Sequence, residues 1–409
     1  MALTAITHPL PVAEPFVSVR RTQAKPARFY RPELDALRFL AFLAVFLHHT
    51  LPGFELSHHA GHLVPILRME TLLKESGSFG VCLFFLLSAY LITELLERER
   101  EQTGAVNVKS FYFRRMLRIW PLYFIFLFFG VVLGTIVHPY RIEGARICAF
   151  LLLAGNWYVA AVNCGGSPIA PLWSISLEEQ FYLVWPWVAK WATRRIMFRF
   201  CLLLMPISWL ALTLLTQAGA HVDRTIWVNS FVQFQFFGLG ALLALTLKGR
   251  TPRLSTVSRL SLFCLGIAAW LAAQGICHIK GDGPIVPHPH SMIIGYTLVG
   301  IGCVLLFLGF LGMPSQWLSN RLAYLGKISY GLYVFHMVAF DIAWKALAPS
   351  SSGNFGSTGS DFGTMIRFIS MQTCALVGTI LLAVLSYRFI EQPFLKIKER
   401  FALVRSRAT

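Results

Sequence analysis

The sequence predicts an all-α, polytopic transmembrane helical bundle with about ten spanning helices and one re-entrant or interfacial segment. Three observations predict it. Of 409 residues, 56% are hydrophobic and only 13% charged, with a mean hydropathy of +0.61, whereas a soluble domain carries about 25% charged residues to keep its surface wet. Apolar runs of about 18 residues or more, long enough to cross a hydrocarbon core as helices, recur along the whole chain. These runs lack the alternation of barrel strands, and backbone in lipid must satisfy its own hydrogen bonds, which leaves helices.

Residues 1–32 are polar and proline-containing, with Arg20, Arg21, Lys25, Arg28 and Arg31 close to the first apolar run and no cleavable apolar region. They read as a cytoplasmic basic arm. Spanning segments follow near 34–52, 78–97, 119–138, 173–191, 198–217, 231–247, 259–277, 290–312, 328–348 and 364–390. Basic clusters fall at 20–31, at 98–118, at Arg194 and Arg195, at Lys248, Arg250 and Arg253, at Arg321 and Lys327, and from Lys396 onward. Ten spans put every cluster on the cytoplasmic side, as the distribution of lysine and arginine in membrane proteins requires. Counting the apolar stretch 146–162 as an eleventh would invert the later clusters, so it reads as re-entrant or interfacial. The outer loops are then 53–77, 139–172, 218–230, 278–289 and 349–363. Residues 33–395 form one transmembrane domain, and 396–409 a cytoplasmic basic tail. The net charge of +17 reads as this cytoplasmic bias and not as a nucleic-acid surface. The eight cysteines lie mostly inside apolar runs without metal-ligand spacing, and His58, His59 and His62 lack a carboxylate or cysteine partner, so no metal site is expected.

Ionisable residues inside spanning helices are costly, and each therefore points to function. The first helix carries Asp35, Arg38 and His49. Arg38 and His49 stand eleven residues apart, about three turns plus 20°, which places them on one stripe roughly 16 Å apart along the axis. Asp35 falls within about 40° of His49, while His48 points about 80° away from Arg38. Singly, Arg38 is explained by snorkelling and His49 by packing; together they suggest a shared polar cavity. Arg114, Arg115 and Arg118 precede the third span within an arc of about 100°. They fit either a cytoplasmic anchor or a phosphate site, because guanidinium forks match phosphate oxygens bidentately. In the run Trp173-Ser174-Ile175-Ser176-Leu177-Glu178-Glu179-Gln180-Phe181-Tyr182, the aromatics suit the outer interface, but the adjacent carboxylates need partners. Glu178 and Tyr182 share a face at i,i+4. In Ser329-Tyr330-Gly331-Leu332-Tyr333-Val334-Phe335-His336, Ser329 and His336 are a heptad apart and face one way.

With these residues in hand, the chain resembles the membrane acyltransferase 3 family, the O-antigen and exopolysaccharide acetylases. The resemblance rests on Leu34-Asp35-Ala36-Leu37-Arg38 with His49 after it, on Phe84-Phe85-Leu86-Leu87-Ser88, and on the arginines at 114–118. Trp173-Ser174 through Tyr182, Ser329-Tyr330 through His336, and Glu391-Gln392-Pro393 complete the set, in family order over roughly residues 31–395. Ala36 stands where the family usually has glycine, and Ala89 where Ser-Gly is common. Both are small-for-small changes that bear on local packing.

The resemblance implies transfer of an acyl group, usually acetyl from acetyl-CoA, to a hydroxyl of a cell-surface or exported carbohydrate, at a bacterial cytoplasmic membrane. It matches His49 to the family's proposed catalytic histidine, and Arg38, Arg114, Arg115 and Arg118 to required positions that would bind the donor. On this reading acyl-CoA is a co-substrate and no cofactor is tightly bound. The partners are the donor, a carbohydrate or lipid-linked glycan, and membrane lipids, with no nucleic acid. His49 would remove the acceptor proton, since a histidine titrates near neutrality. Glu178 or Glu179, before Asp35, would orient or charge-balance the imidazole, or Asp35 would instead neutralise Arg38, three residues away. Ser329, Tyr330, Tyr333, His336, Trp173 and Tyr182 would line the polar cavity. Direct transfer is expected, because no serine or cysteine neighbours His49 in sequence. Two rival readings use the same buried charges: a transporter, although no internal repeat is visible, and a non-catalytic glycan-assembly protein, which would have no need to align Arg38 with His49.

Overall fold

The computed structural model describes residues 30–51, 64–137, 141–162, 167–280, 288–347 and 362–401. The expected basic arm up to residue 29, the histidines at His58, His59 and His62, the serine- and glycine-rich segment from 348 to 361, and the tail after 401 lie outside the described residues.

No strand occurs among the described residues. The helices run α1 (Pro32–Thr50), α2 (Val64–Gly77), α3 (Gly80–Thr103), α4 (Val108–Ile136), α5 (Gly144–Leu151), α6 (Gly155–Ala161), α7 (Leu172–Trp191) and α8 (Arg194–Gln217). They continue with α9 (Ser230–Leu247), α10 (Thr256–Gly275), α11 (Pro289–Phe310), α12 (Asn320–Lys327), α13 (Ser329–Leu347), α14 (Phe362–Ser386) and α15 (Gln392–Glu399). Each of the ten expected spans falls on a helix. Seven segments among the described residues are long and apolar enough to cross a membrane: α2–α3 from Arg68, α4, α8, α9, α10, α11, and α14 running on to Lys398. Helices α1, α7 and α13 have the length, at 19, 20 and 19 residues, but carry ionisable and polar side chains. Those same side chains build the site.

One segment departs from the sequence reading, and two others resolve into short helices. The stretch 53–77 was expected to be a loop, yet α2 occupies its second half. Arg68, Glu70, Lys74 and Glu75 make α2 too polar for an apolar-run search, and only Ser78 and Phe79 separate it from α3. The stretch 146–162 is broken into α5 and α6, with Leu153 at a φ of 56° between them. At eight and seven residues neither approaches the roughly 20 residues a span needs. The short helix α12, capped by Ser319 onto the Arg321 N–H, precedes α13.

Helix starts follow local chemistry. Pro32 occupies the first turn of α1, where its missing N–H costs nothing. Asn107 caps α4 by accepting from the Ser110 N–H at 3.0 Å, and Gly104, at a φ of 77°, ends α3 in the left-handed region. The bundle closes through small residues, as helices in lipid do. A side chain at Gly80 would strike the Ala41 carbonyl, so α1 and α3 touch backbone to backbone there. One at Gly326 would strike the Asp35 backbone, which seats α12 on α1. Phe85, Phe237, Phe181 and Trp185 stack in sequence at 4.8, 4.6 and 5.3 Å between centroids, linking α3, α9 and α7.

Ion pairs gather at one end of the bundle. Arg98 pairs with Glu94 at 2.8 Å, Arg114 with Glu99 at 2.8 Å, and Arg194 with Glu97 at 3.5 Å. Arg31 donates to the Gly249 carbonyl at 2.9 Å. Arg259, buried, spends its guanidinium on the carbonyls of Gly309, Leu311 and Gly312. Much of the basic surplus at this end therefore holds helix termini together.

Candidate active site

Two of the cavities among the described residues share Val81 and Tyr333 as wall residues. The first, about 90 Å³, is several times the ~10–15 Å³ that one water occupies. Its polar wall comes from Arg38 of α1, Ser88 of α3, Arg115 and Arg118 of α4, Ser174, Glu178 and Tyr182 of α7, and Ser329, Tyr330 and Tyr333 of α13. Helix α4 presents Arg115 and Arg118 together because residues three apart share a face.

Charge in this cavity is unbalanced toward the positive. Arg38 lies 3.5 Å from Asp35 one turn back, but among the described residues no carboxylate stands within ion-pair distance of Arg115 or Arg118. The Arg115 guanidinium instead rests 5.3 Å from the Tyr182 ring centroid and 5.7 Å from that of Phe111, a cation–π arrangement that leaves its in-plane donors available. The Tyr182 hydroxyl donates to Glu178 Oε2 at 2.7 Å and, with its proton so spent, accepts from Ser88 in a close contact. Tyr330 donates to the Ile119 carbonyl at 2.9 Å. Arginines that face a cavity without matched carboxylates are suited to hold an anion, above all phosphate.

The second cavity, about 80 Å³, lies toward the C-terminal end of α1 and is lined by His48, His49, Ser78, Pro171, Trp173, Trp227, Tyr333, His336 and Met337 among others. The His49 and His336 rings stand 5.0 Å apart, and His48 and His49 4.8 Å apart. His48 Nδ1 donates to the Lys74 carbonyl at 2.8 Å and His49 Nδ1 to the Val45 carbonyl at 2.9 Å. A carbonyl can only accept, so each Nδ1 carries its hydrogen and each Nε2 keeps a lone pair. Trp227 has the Lys280 ammonium 4.4 Å from its ring centroid, and Lys280 is ion-paired with Asp223.

The residues singled out from sequence thus divide. Arg38, Arg115, Arg118, Glu178, Tyr182, Ser329 and Tyr330 meet in the first cavity; His49, His336 and Trp173 meet in the second; Tyr333 belongs to both. Two expectations need correction. Arg114 is not a wall of the first cavity: its side chain turns to Glu99 and to the Phe401 carbonyl, because a step of one residue rotates it about 100° from Arg115. Neither glutamate orients His49. Glu178 answers to Tyr182 among the arginines, and Glu179, again about 100° around the helix, accepts from Trp120 Nε1 at 3.1 Å. Asp35 pairs with Arg38, the alternative that the sequence offered for it.

His48, Ser88, Ser174, Trp227 and Lys280 were not singled out. Ser88 and Ser174 sit inside the quoted motifs and were legible there, whereas nothing in the sequence around Trp227 and Lys280 marks them. Among the described residues, no group of three or more histidine, cysteine, aspartate or glutamate side chains is arranged to hold a metal.

A multi-helix chain with an arginine-walled cavity that shares wall residues with a histidine-walled one fits a group-transfer enzyme working within a membrane. The chain belongs to the acyltransferase 3 family, whose model, described as an acyltransferase domain, matches residues 31–388. It is 25% identical over 390 residues to the peptidoglycan O-acetyltransferase OatA of Listeria monocytogenes, covering 90% of this chain and 56% of that protein. It is 27% identical over 399 residues to a Staphylococcus aureus protein that carries the provisional name of an O-acetyltransferase, covering 90% of this chain and 58% of the relative. The chain therefore spans a little over half the length of the curated relatives it matches. No solved structure matches it.

Proposed function

We propose that the chain is a multi-pass membrane O-acyltransferase that moves an acyl group, acetyl in the first instance, from acyl-CoA to a carbohydrate hydroxyl. The observation that carries this reading is the pair of adjoining cavities. One offers arginines to a phosphorylated donor, the other offers a histidine lone pair to an acceptor hydroxyl, and Val81 and Tyr333 stand between them.

In this proposal α1, α7 and α13 complete ten spans with the seven apolar segments, and the ion-paired end of the bundle is cytoplasmic. The arm at 1–32 and the tail at 396–409 are then cytoplasmic, residues 33–395 are the catalytic domain, and the membrane is the bacterial inner membrane. Arg115, Arg118 and Arg38 receive the donor's phosphates, with Glu178 limiting the local charge. Arg114 braces the site by tying α4 to Glu99 of α3. The thioester reaches past Tyr333, and His49 Nε2 takes the acceptor proton as that oxygen attacks the thioester carbonyl. Trp173 and Trp227 offer aromatic faces for a sugar ring. Peptidoglycan is named for the Listeria relative, which favours a glycan of that kind as acceptor here.

The experiment is release of CoA thiol from acetyl-CoA by purified protein, read with a thiol-reactive dye, with and without chito-oligosaccharides and peptidoglycan fragments. Sugar-dependent thiol release with O-acetyl product by mass spectrometry is the expected result. A protein that binds the donor yet releases no thiol with any of these sugars would overturn the reading.

A further inference from the structure

We infer that His336 is the positioning residue of His49: it holds the imidazole with Nε2 toward the cavity and shares the charge that forms when Nε2 takes a proton. The inference rests on the base role proposed above.

His49 Nδ1 lies 2.9 Å from the Val45 carbonyl and His336 Nδ1 lies 2.6 Å from the Tyr333 carbonyl. Carbonyls accept only, so both rings carry hydrogen on Nδ1, and in neutral rings both Nε2 atoms hold lone pairs. His336 Nε2 is 3.4 Å from His49 Nδ1. Its lone pair therefore faces the His49 Nδ1–H, which is shared between Val45 and His336. The reverse arrangement, His336 Nε2–H pointing at a bare His49 Nδ1, would set lone pairs against each other at the Val45 carbonyl. It would also require either a cationic His336 or a second such clash at Tyr333.

Burial gives this contact its weight. His336 is wholly buried, with the Phe42 ring edge-on to it at 6.3 Å between centroids, so its ring is held fixed, while His49 itself is exposed. Among the described residues no carboxylate lines this cavity, and the place that an aspartate takes in serine-protease triads falls to a neutral imidazole acceptor. During transfer the acceptor O–H bond breaks and its proton goes to His49 Nε2. The acceptor oxygen bonds to the thioester carbonyl carbon, and the C–S bond breaks with its electron pair on the CoA sulfur. The imidazolium then returns the proton to that thiolate. While the imidazolium lasts, its Nδ1–H leans on Val45 and His336.

The test compares His336→Leu, which fills space but cannot accept, with His336→Gln, whose amide oxygen can. Acetyl-CoA and a chito-oligosaccharide are the substrates, His49→Ala is the reference, and imidazole nitrogen NMR on the wild-type protein reads the tautomer without substrate. Expected are an Nδ1–H tautomer at His49, and a kcat for His336→Leu lower by about ten- to a hundredfold, the worth of one hydrogen bond to a charged group. Both KM values should be little changed, and His336→Gln should recover most of the rate. Full activity in His336→Leu beside an inactive His49→Ala would overturn the positioning role alone. An active His49→Ala would overturn the base role and this inference with it. An Nε2–H tautomer at His49 would overturn the hydrogen assignment. Should the leucine variant not fold, His336→Asn, polar but too short to reach, takes its place beside His336→Gln, with equal rates for the two counting against the proposal.

Discussion

The Tyr333 hydroxyl donates to Ser174 Oγ across 2.7 Å, and the ring that carries it is a wall of both cavities. Ser174 donates its own hydrogen to the Pro171 carbonyl at 3.1 Å, so the bond ties the second turn of α13 to the first turn of α7. Tyr333→Phe keeps the ring and loses only the bond. It should cost about 1 kcal/mol of stability, read as a lower unfolding temperature in detergent. Tyr333→Ala opens one cavity into the other and admits water beside the thioester. Its thiol release without any sugar should exceed that of wild type, and an unchanged sugar-free rate would show that Tyr333 is not the partition.

Arg114 and Arg115 are neighbours in sequence but should fail differently. Arg115→Ala removes a cavity guanidinium, so KM for acetyl-CoA should rise roughly tenfold or more, the loss expected of a charged hydrogen bond, with sugar KM little altered. Arg114→Ala leaves Glu99, which is 2% exposed, without its ion-pair partner. That loss should cost about 3–5 kcal/mol in stability while donor KM holds for the protein that remains folded. Steady-state kinetics on each substrate, paired with thermal unfolding, separates the two.

Much of this architecture could be read without coordinates. The ten expected spans fall on helices, seven of them in segments long and apolar enough to cross a membrane, because length and apolarity are written continuously along the chain. What escaped was whatever depends on a second helix. His49 and His336 are far apart in sequence, and no pattern within α1 or α13 reveals that they meet. The same limit misplaced the glutamates: their adjacency suggested a shared role, whereas a step of about 100° sends Glu178 to the arginines and Glu179 to Trp120. Helix α2 was missed because its four charges dilute the apolar signal that exposed its neighbour α3.

The two glutamates offer a charge test. Glu178→Gln still accepts from Tyr182, so the local geometry survives, but it removes the carboxylate that faces Arg38, Arg115 and Arg118 across the first cavity. Donor affinity should tighten severalfold, since a phosphorylated ligand then meets less repulsion. Glu179→Gln, which faces Trp120, should leave donor affinity as it is. Calorimetric titration with CoA checks both, and a stronger effect from Glu179→Gln would reverse the assignment.

Gly326 supports the site from outside it. A β-carbon there would run into the Asp35 backbone, so Gly326→Ala must displace either α12 or the first turns of α1. Overpacking of this kind costs about 1–3 kcal/mol, and the strain falls on the segment that carries both Asp35 and Arg38. Unfolding temperature should drop, and donor KM should rise in the surviving protein because Arg38 moves with its helix, while sugar KM, set around His49 some 16 Å farther along α1, should change less. Gly275 makes a useful control, since an added β-carbon there meets only Leu72 side-chain carbons at 3.4 and 3.8 Å. Gly275→Ala should leave both KM values near wild type, and equal donor defects in the two variants would mean that Gly326 does not act through Arg38.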